Sequence, residues 1–163
     1  MKLKHILAMA LVVAACVPAA ASTFLTQNVR DLQRRSEAVV HAQVVDIYSY
    51  WNTDRSMIFT DVTLDVKGRL HGAADRQVVV RVPGGTVGDF TVEMQGAPSF
   101  EMDEEVVAFI ARWEDGTPKV EGYFQGLSQV RRDKAGNAIL HGGASDGVPM
   151  SELARQLRPA LQQ

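Results

Sequence analysis

The sequence predicts a mainly β domain, a small barrel or sandwich with a short helix at either end. Many short apolar runs are punctuated by glycine and other turn residues, as all-β architectures require. One run alternates cleanly, with Ile58, Thr60, Val62, Leu64 and Val66 on one face and Phe59, Asp61, Thr63, Asp65 and Lys67 on the other. Residues 77–100 then read as a strand (77–82), a glycine-rich turn (83–88), a second strand (89–94) and a second turn cluster. This hairpin can be closed over by its neighbours.

In chain order, the first segment is an address and not part of the fold. Lys2, Lys4 and His5 precede an apolar run over 6–17, Pro18 breaks it, and Ala19-Ala20-Ala21 forms a small-residue cleavage region. These are the parts of a secretory signal peptide over 1–21. The run is well short of the roughly 20 residues that span a bilayer, so no stable membrane span is expected. Val13-Ala14-Ala15-Cys16 resembles a bacterial lipobox, so the alternative to cleavage after Ala21 is a lipoprotein acylated at Cys16. Cleavage after Ala21 leaves no cysteine, and the core must then suffice without disulfides. Of the 17 basic residues, Lys2 and Lys4 leave with the signal, so 15 face 19 acidic ones, a net charge near −4. An acidic exported domain lacks the basic footprint that nucleic acid needs.

Residues 22–140 are expected to form the barrel domain. Thr26 can cap a short helix with Val29 and Leu32 on one face and the arginines on the other, a solvated surface. Residues 38–48 form the first strand, apolar on both faces, so that one side meets the core and the other the helix. Tyr48-Ser49-Tyr50-Trp51 leads into the 52–55 turn. The alternating strand 58–67 follows, then a connection over 68–75. In strand 77–82, Val78, Val80 and Val82 point inward and Gln77, Val79 and Arg81 outward. Residues 105–113 are nearly continuously apolar and read as a central strand, followed by the Asp115-Gly116-Thr117-Pro118 turn. Short or bulged strands interrupted by Gly122 and Gly126 come next, then a turn at 133–137 and the strand residues Ala138, Ile139 and Leu140. Residues 141–163 are expected to be a loose, flexible segment carrying a short terminal helix capped by Ser151.

The order Ser36-Glu37-Ala38-Val39-Val40, then Ile58-Phe59-Thr60, then Pro83-Gly84-Gly85-x-x-Gly88, resembles a widespread group of exported bacterial proteins. Gly96-x-Pro98-x-Phe100 with Glu104-Glu105-Val106-Val107-Ala108-Phe109 completes the likeness, which covers about residues 26–130. The strand plan is similar to the OB-like barrel of netrin-like and TIMP-like (metalloprotease-inhibitor) domains. The resemblance implies an OB-like closed or partly open β-barrel and an exported, periplasmic or secreted, location. It does not carry the inhibitory mechanism. Those inhibitors use an N-terminal cysteine to chelate zinc, and here Ser22 would begin the chain.

The chemistry-bearing residues are mostly better explained by structure. His41, His71 and His141 lack metal-ligand spacing and have no cysteine to join them, so no metal or cofactor is expected; His41 reads as a strand residue, the other two as loop residues. Gly143-Ala144-Ser145-Asp146-Gly147 has nucleophile-like composition without a preceding strong strand. Residues 83–88 lack the Lys-Ser/Thr ending and following helix of a phosphate loop. Asp61 with Asp65, and Asp103-Glu104-Glu105, read as solvated carboxylates. The aromatic residues Tyr48, Tyr50, Trp51 and Phe59 flank the 52–55 turn and can be neighbours across a hairpin, which makes them the candidate binding cluster. The expectation is a non-enzymatic exported domain that binds a protein, peptide or glycan. The alternatives are a small envelope hydrolase with an unrecognised site, or a structural or assembly factor.

Overall fold

The structure is a computed structural model that describes residues 27–158. Residues 1–26, which include the expected signal peptide, Cys16, Ser22 and Thr26, and the chain end beyond Arg158 lie outside the described residues. The described chain is mainly β. A helix α1 (Val29–Arg35) precedes the long strands β1 (Ala38–Trp51) and β2 (Ile58–Gly72), and β3 (Gln77–Pro83), β4 (Gly85–Val87) and β5 (Phe90–Val92) follow. Then come β6 (Glu105–Arg112), β7 (Pro118–Val120), β8 (Leu127–Arg132), β9 (Ala138–His141) and helix α2 (Met150–Gln156).

One antiparallel sheet runs β3-β2-β1-β6-β8-β9, with β7 paired to β6. Its ladder is not closed by hydrogen bonds, although the Arg81 side chain of β3 reaches across to Thr117 in the β6–β7 turn, 3.4 Å away. The inward valines of β3 behave as the alternation predicts: Val80 and Val82 are buried with Val62 and Leu64, while Val79 is exposed.

β1 and β6 are apolar on both faces because both faces are covered. Val40, Ala42, Val44, Val106 and Ala108 fill the inner core. Val39, Val107 and Phe109 point the other way, against Leu32 of α1, Leu153 of α2 and Leu157 just beyond it. Gln33 joins these layers, its amide 2.9 Å from the Leu157 carbonyl and 3.2 Å from His71 Nδ1. Burial on this scale, about 25 cal/mol per Å² of apolar surface, holds both short helices, which would be marginal in isolation.

Several local expectations are corrected. Asn28 caps α1, its side-chain oxygen accepting the Asp31 N–H at 2.9 Å. Ser151 sits inside α2, whose N-cap position is Pro149 without a side-chain cap. β2 continues to Gly72 through residues read as a connection, so His71 lies on a strand, as does His141. The stretch after β9 is tied down: Gly147 N–H donates to the Leu140 carbonyl at 2.8 Å, and Ser128 Oγ to that of Gly142 at 2.8 Å.

The glycine-rich stretch 83–88 is not a corner between β3 and the next strand. Gly85–Val87 is itself a strand, paired with Phe90–Val92 in a separate two-stranded flap. The close approach of Gly85 (φ 133°) explains this: a Cβ there would overlap Thr60 Oγ1 and Ser49 Oγ. Only glycine lets the flap backbone lie against the sheet at that point.

Candidate functional site

The aromatic cluster is placed by one extra residue in β1. Pairing with β2 runs Val44↔Leu64 and then Asp46↔Thr63, leaving Val45 unpaired as a bulge. Side chains alternate with a period of two, so one inserted residue exchanges the faces. Before the bulge Val40, Ala42 and Val44 point inward; after it Ile47 does. Tyr48 and Tyr50 are thereby turned to the outer face, beyond the part covered by the helices.

There they meet β2 and β3 in two rows. Tyr48 lies opposite Asp61, and Asp61 opposite Arg81; Tyr50 lies opposite Phe59, and Phe59 opposite Pro83. The Tyr48 and Tyr50 rings stack with centroids 5.9 Å apart and planes 16° from parallel. The Arg81 guanidinium sits 5.8 Å from the Tyr50 ring centroid and 5.9 Å from that of Phe59. Its Nε donates to Asp61 Oδ1 at 3.1 Å, and the Tyr50 hydroxyl donates to the same oxygen at 3.2 Å. Asp115 Oδ2, 3.9 Å from Arg81, and Thr117 hold the guanidinium from the far side. Lys119 continues the strip, 4.5 Å over the Trp113 ring.

The electrostatics follow from this packing. Burial, then the Asp61 charge, raises the Tyr50 pKa above the ordinary phenol value, and Arg81 only partly offsets them. The hydrogen bond to Asp61 raises that of Arg81. Tyr50 is thus a neutral donor at physiological pH and no base. The rings offer flat π surfaces, with Tyr48 64% exposed and Tyr50 fixed behind it.

The structure brings together three of the four expected residues. Trp51, the fourth, lies apart from them: it shares the inner side of β1 with Ser49 and packs edge-on against Phe90 of the flap, centroids 5.8 Å apart. Arg81 completes the cluster, and the alternation of β3 marks it only as an outward-facing cation. Its outward position was readable, but its register opposite Asp61 depends on where β2 stops. Asp61 and Asp65 do not act as a carboxylate pair, since Asp61 binds Arg81 and Asp65 binds Lys67 at 2.7 Å.

Among the described residues no three His, Cys, Asp or Glu side chains converge as metal ligands, and no helix is long and apolar enough to cross a membrane. Ser145 is 1% exposed, out of reach of a substrate. Neither a protein-family model, nor a curated protein, nor a solved structure matches this chain.

Proposed function

We propose that the protein is an exported, non-enzymatic binding domain, a partly open OB-like barrel that receives a protein, peptide or glycan on the aromatic platform of Tyr48, Tyr50 and Phe59. The observation that carries this reading is the Tyr48–Tyr50 stack. An exposed ring is held against a second ring that is itself fixed by Asp61 and Arg81. Pre-positioned aromatics of this kind give contact area at little entropic cost, and tyrosine and arginine dominate binding hot spots. The site is flat and its polar groups are already paired with one another, which suits recognition better than turnover. The basic, apolar and small-residue segments of 1–21 support export to the periplasm or beyond, with acylation at Cys16 as the other outcome of processing.

Affinity capture from envelope and culture fractions tests the reading. Tyr48→Ala should abolish retention of the natural partner while leaving the melting temperature within about 2 °C, since an exposed ring contributes little to the core. Retention unchanged by Tyr48→Ala and by Tyr50→Ala would place the binding surface elsewhere. The mass of the mature chain decides between a Ser22 start and an acylated Cys16.

A further inference from the structure

Beyond the aromatic platform, where β3 meets the β6–β7 hairpin and α1, lies a cavity of about 130 Å³ with Trp113 in its wall. That is well below the roughly 300 Å³ at which sites for whole organic ligands begin, so it takes a single small group. The charges around it are unequal. Arg35, Arg81 and Lys119 line it, and Glu121 is the one carboxylate among its described lining residues.

The contacts fix where these charges sit. Arg35 Nε lies 2.9 Å from Glu121 Oε1, and Lys119 Nζ lies 3.7 Å from Glu121 Oε2. Two cationic heads therefore flank one carboxylate, which neutralises only one of them. Arg81 adds a third positive charge, and its acidic partners Asp61 and Asp115 stand outside the lining.

Lys119 is the group left incomplete. Its side chain is only 25% exposed and stands 4.5 Å over the Trp113 ring. Glu121 is beyond hydrogen-bond distance, and among the described residues no other acceptor bonds Nζ. Nζ is nevertheless not sealed in the interior. A mostly buried ammonium without an acceptor is costly, and a ligand oxygen entering the cavity relieves that cost. A neutral ligand supplies the oxygen alone, whereas an anion also balances the surplus charge.

We infer that this pocket binds the oxyanionic group of a small ligand, a carboxylate, sulfate or phosphate, on Lys119 with Arg35 and Arg81 beside it. The assignment does not depend on what the aromatic platform receives. An ammonium group would meet three like charges and is rejected.

Acetate and acetamide share a shape and differ in charge, so titrating each into the full chain at neutral pH and low salt isolates the charge. Backbone amide shifts of Val120, Glu121 and Gly122 report occupation. Acetate should bind saturably and acetamide about fivefold more weakly. Sulfate and phosphate in parallel titrations show which oxyanion the pocket prefers. Lys119→Met keeps the stem over Trp113 and should weaken the preferred anion about fivefold. Glu121→Gln removes the opposing charge and should tighten it by a similar factor, a gain that damage to the fold would not produce. Failure of all three anions to bind saturably, acetamide matching acetate, shifts confined to other residues, or an anion affinity unmoved by either substitution would each overturn the assignment.

Discussion

Replacing Arg81 by Met removes the charge that holds the aromatic platform together while keeping most of the hydrocarbon stem. The Arg81 and Asp61 side chains are 31% and 28% exposed, so their 3.1 Å ion pair is worth a surface value, about 0.5–1 kcal/mol. Each ring beside the guanidinium adds about 0.5 kcal/mol at this exposure. The methionine retains the stem's packing, so the loss should total about 1.5–2 kcal/mol. For a domain of this size that lowers the melting temperature by roughly 5–8 °C. Asp61→Asn alone should cost about 1 kcal/mol. The Arg81→Met/Asp61→Asn cycle should return a coupling of about 0.5–1 kcal/mol, since the two groups share one contact. A second readout separates this from a general loss of packing. Arg81 lowers the Tyr50 pKa and Asp61 raises it, so near-ultraviolet titration should find Tyr50 moved further up in Arg81→Met and down in Asp61→Asn. The sign for stability is fixed by the same shift. Tyr50 is raised when folded, so the unfolded chain loses its proton first. The stability it contributes is complete below about pH 10 and is lost as pH rises through the folded value. A melting temperature within 1 °C of wild type, zero coupling and an unmoved Tyr50 would refute the account of Arg81 as the platform's anchor.

Three further perturbations test other parts of the structure. Gly85→Ala forces a methyl group against Thr60 and Ser49 at φ 133°; it should cost about 1–3 kcal/mol and raise hydrogen exchange at Val87 and Phe90, whereas a local change without flap release would disprove the anchoring role of Gly85. Burial raises the Glu104 pKa, so the folded state holds this proton more tightly and stability falls as pH rises from the ordinary carboxylate value through the raised one. Glu104→Gln should therefore raise the melting temperature at pH 7 and lose that advantage below about pH 4, and a gain independent of pH would contradict the assignment. Trp51→Ala removes an edge contact to the exposed Phe90; a drop of only a few degrees with unchanged retention of the platform's partner is expected, and loss of that partner would return Trp51 to the binding site.

The sequence by itself determined the β character, the inward faces of β2 and β3, and the central place of 105–112, because burial writes a period of two or an unbroken apolar run into the residues. Val62, Leu64, Val80 and Val82 occupy the core as their alternation requires. It also supplied three of the platform's residues, since hairpin neighbours of the 52–55 turn must lie close. What it could not supply depends on partners distant in the chain. The open ladder, the pairing of Gly85–Val87 with Phe90–Val92, and the meeting of Arg81 with Asp61 are set by strand register, which local pattern does not encode. The decisive case is the bulge at Val45. Val44, Val45 and Ile47 suit either face equally well, so nothing in their composition marks an extra residue. Only pairing with β2 leaves Val45 over, and that single residue sends Tyr48 and Tyr50 outward to Arg81 and Trp51 inward to the flap.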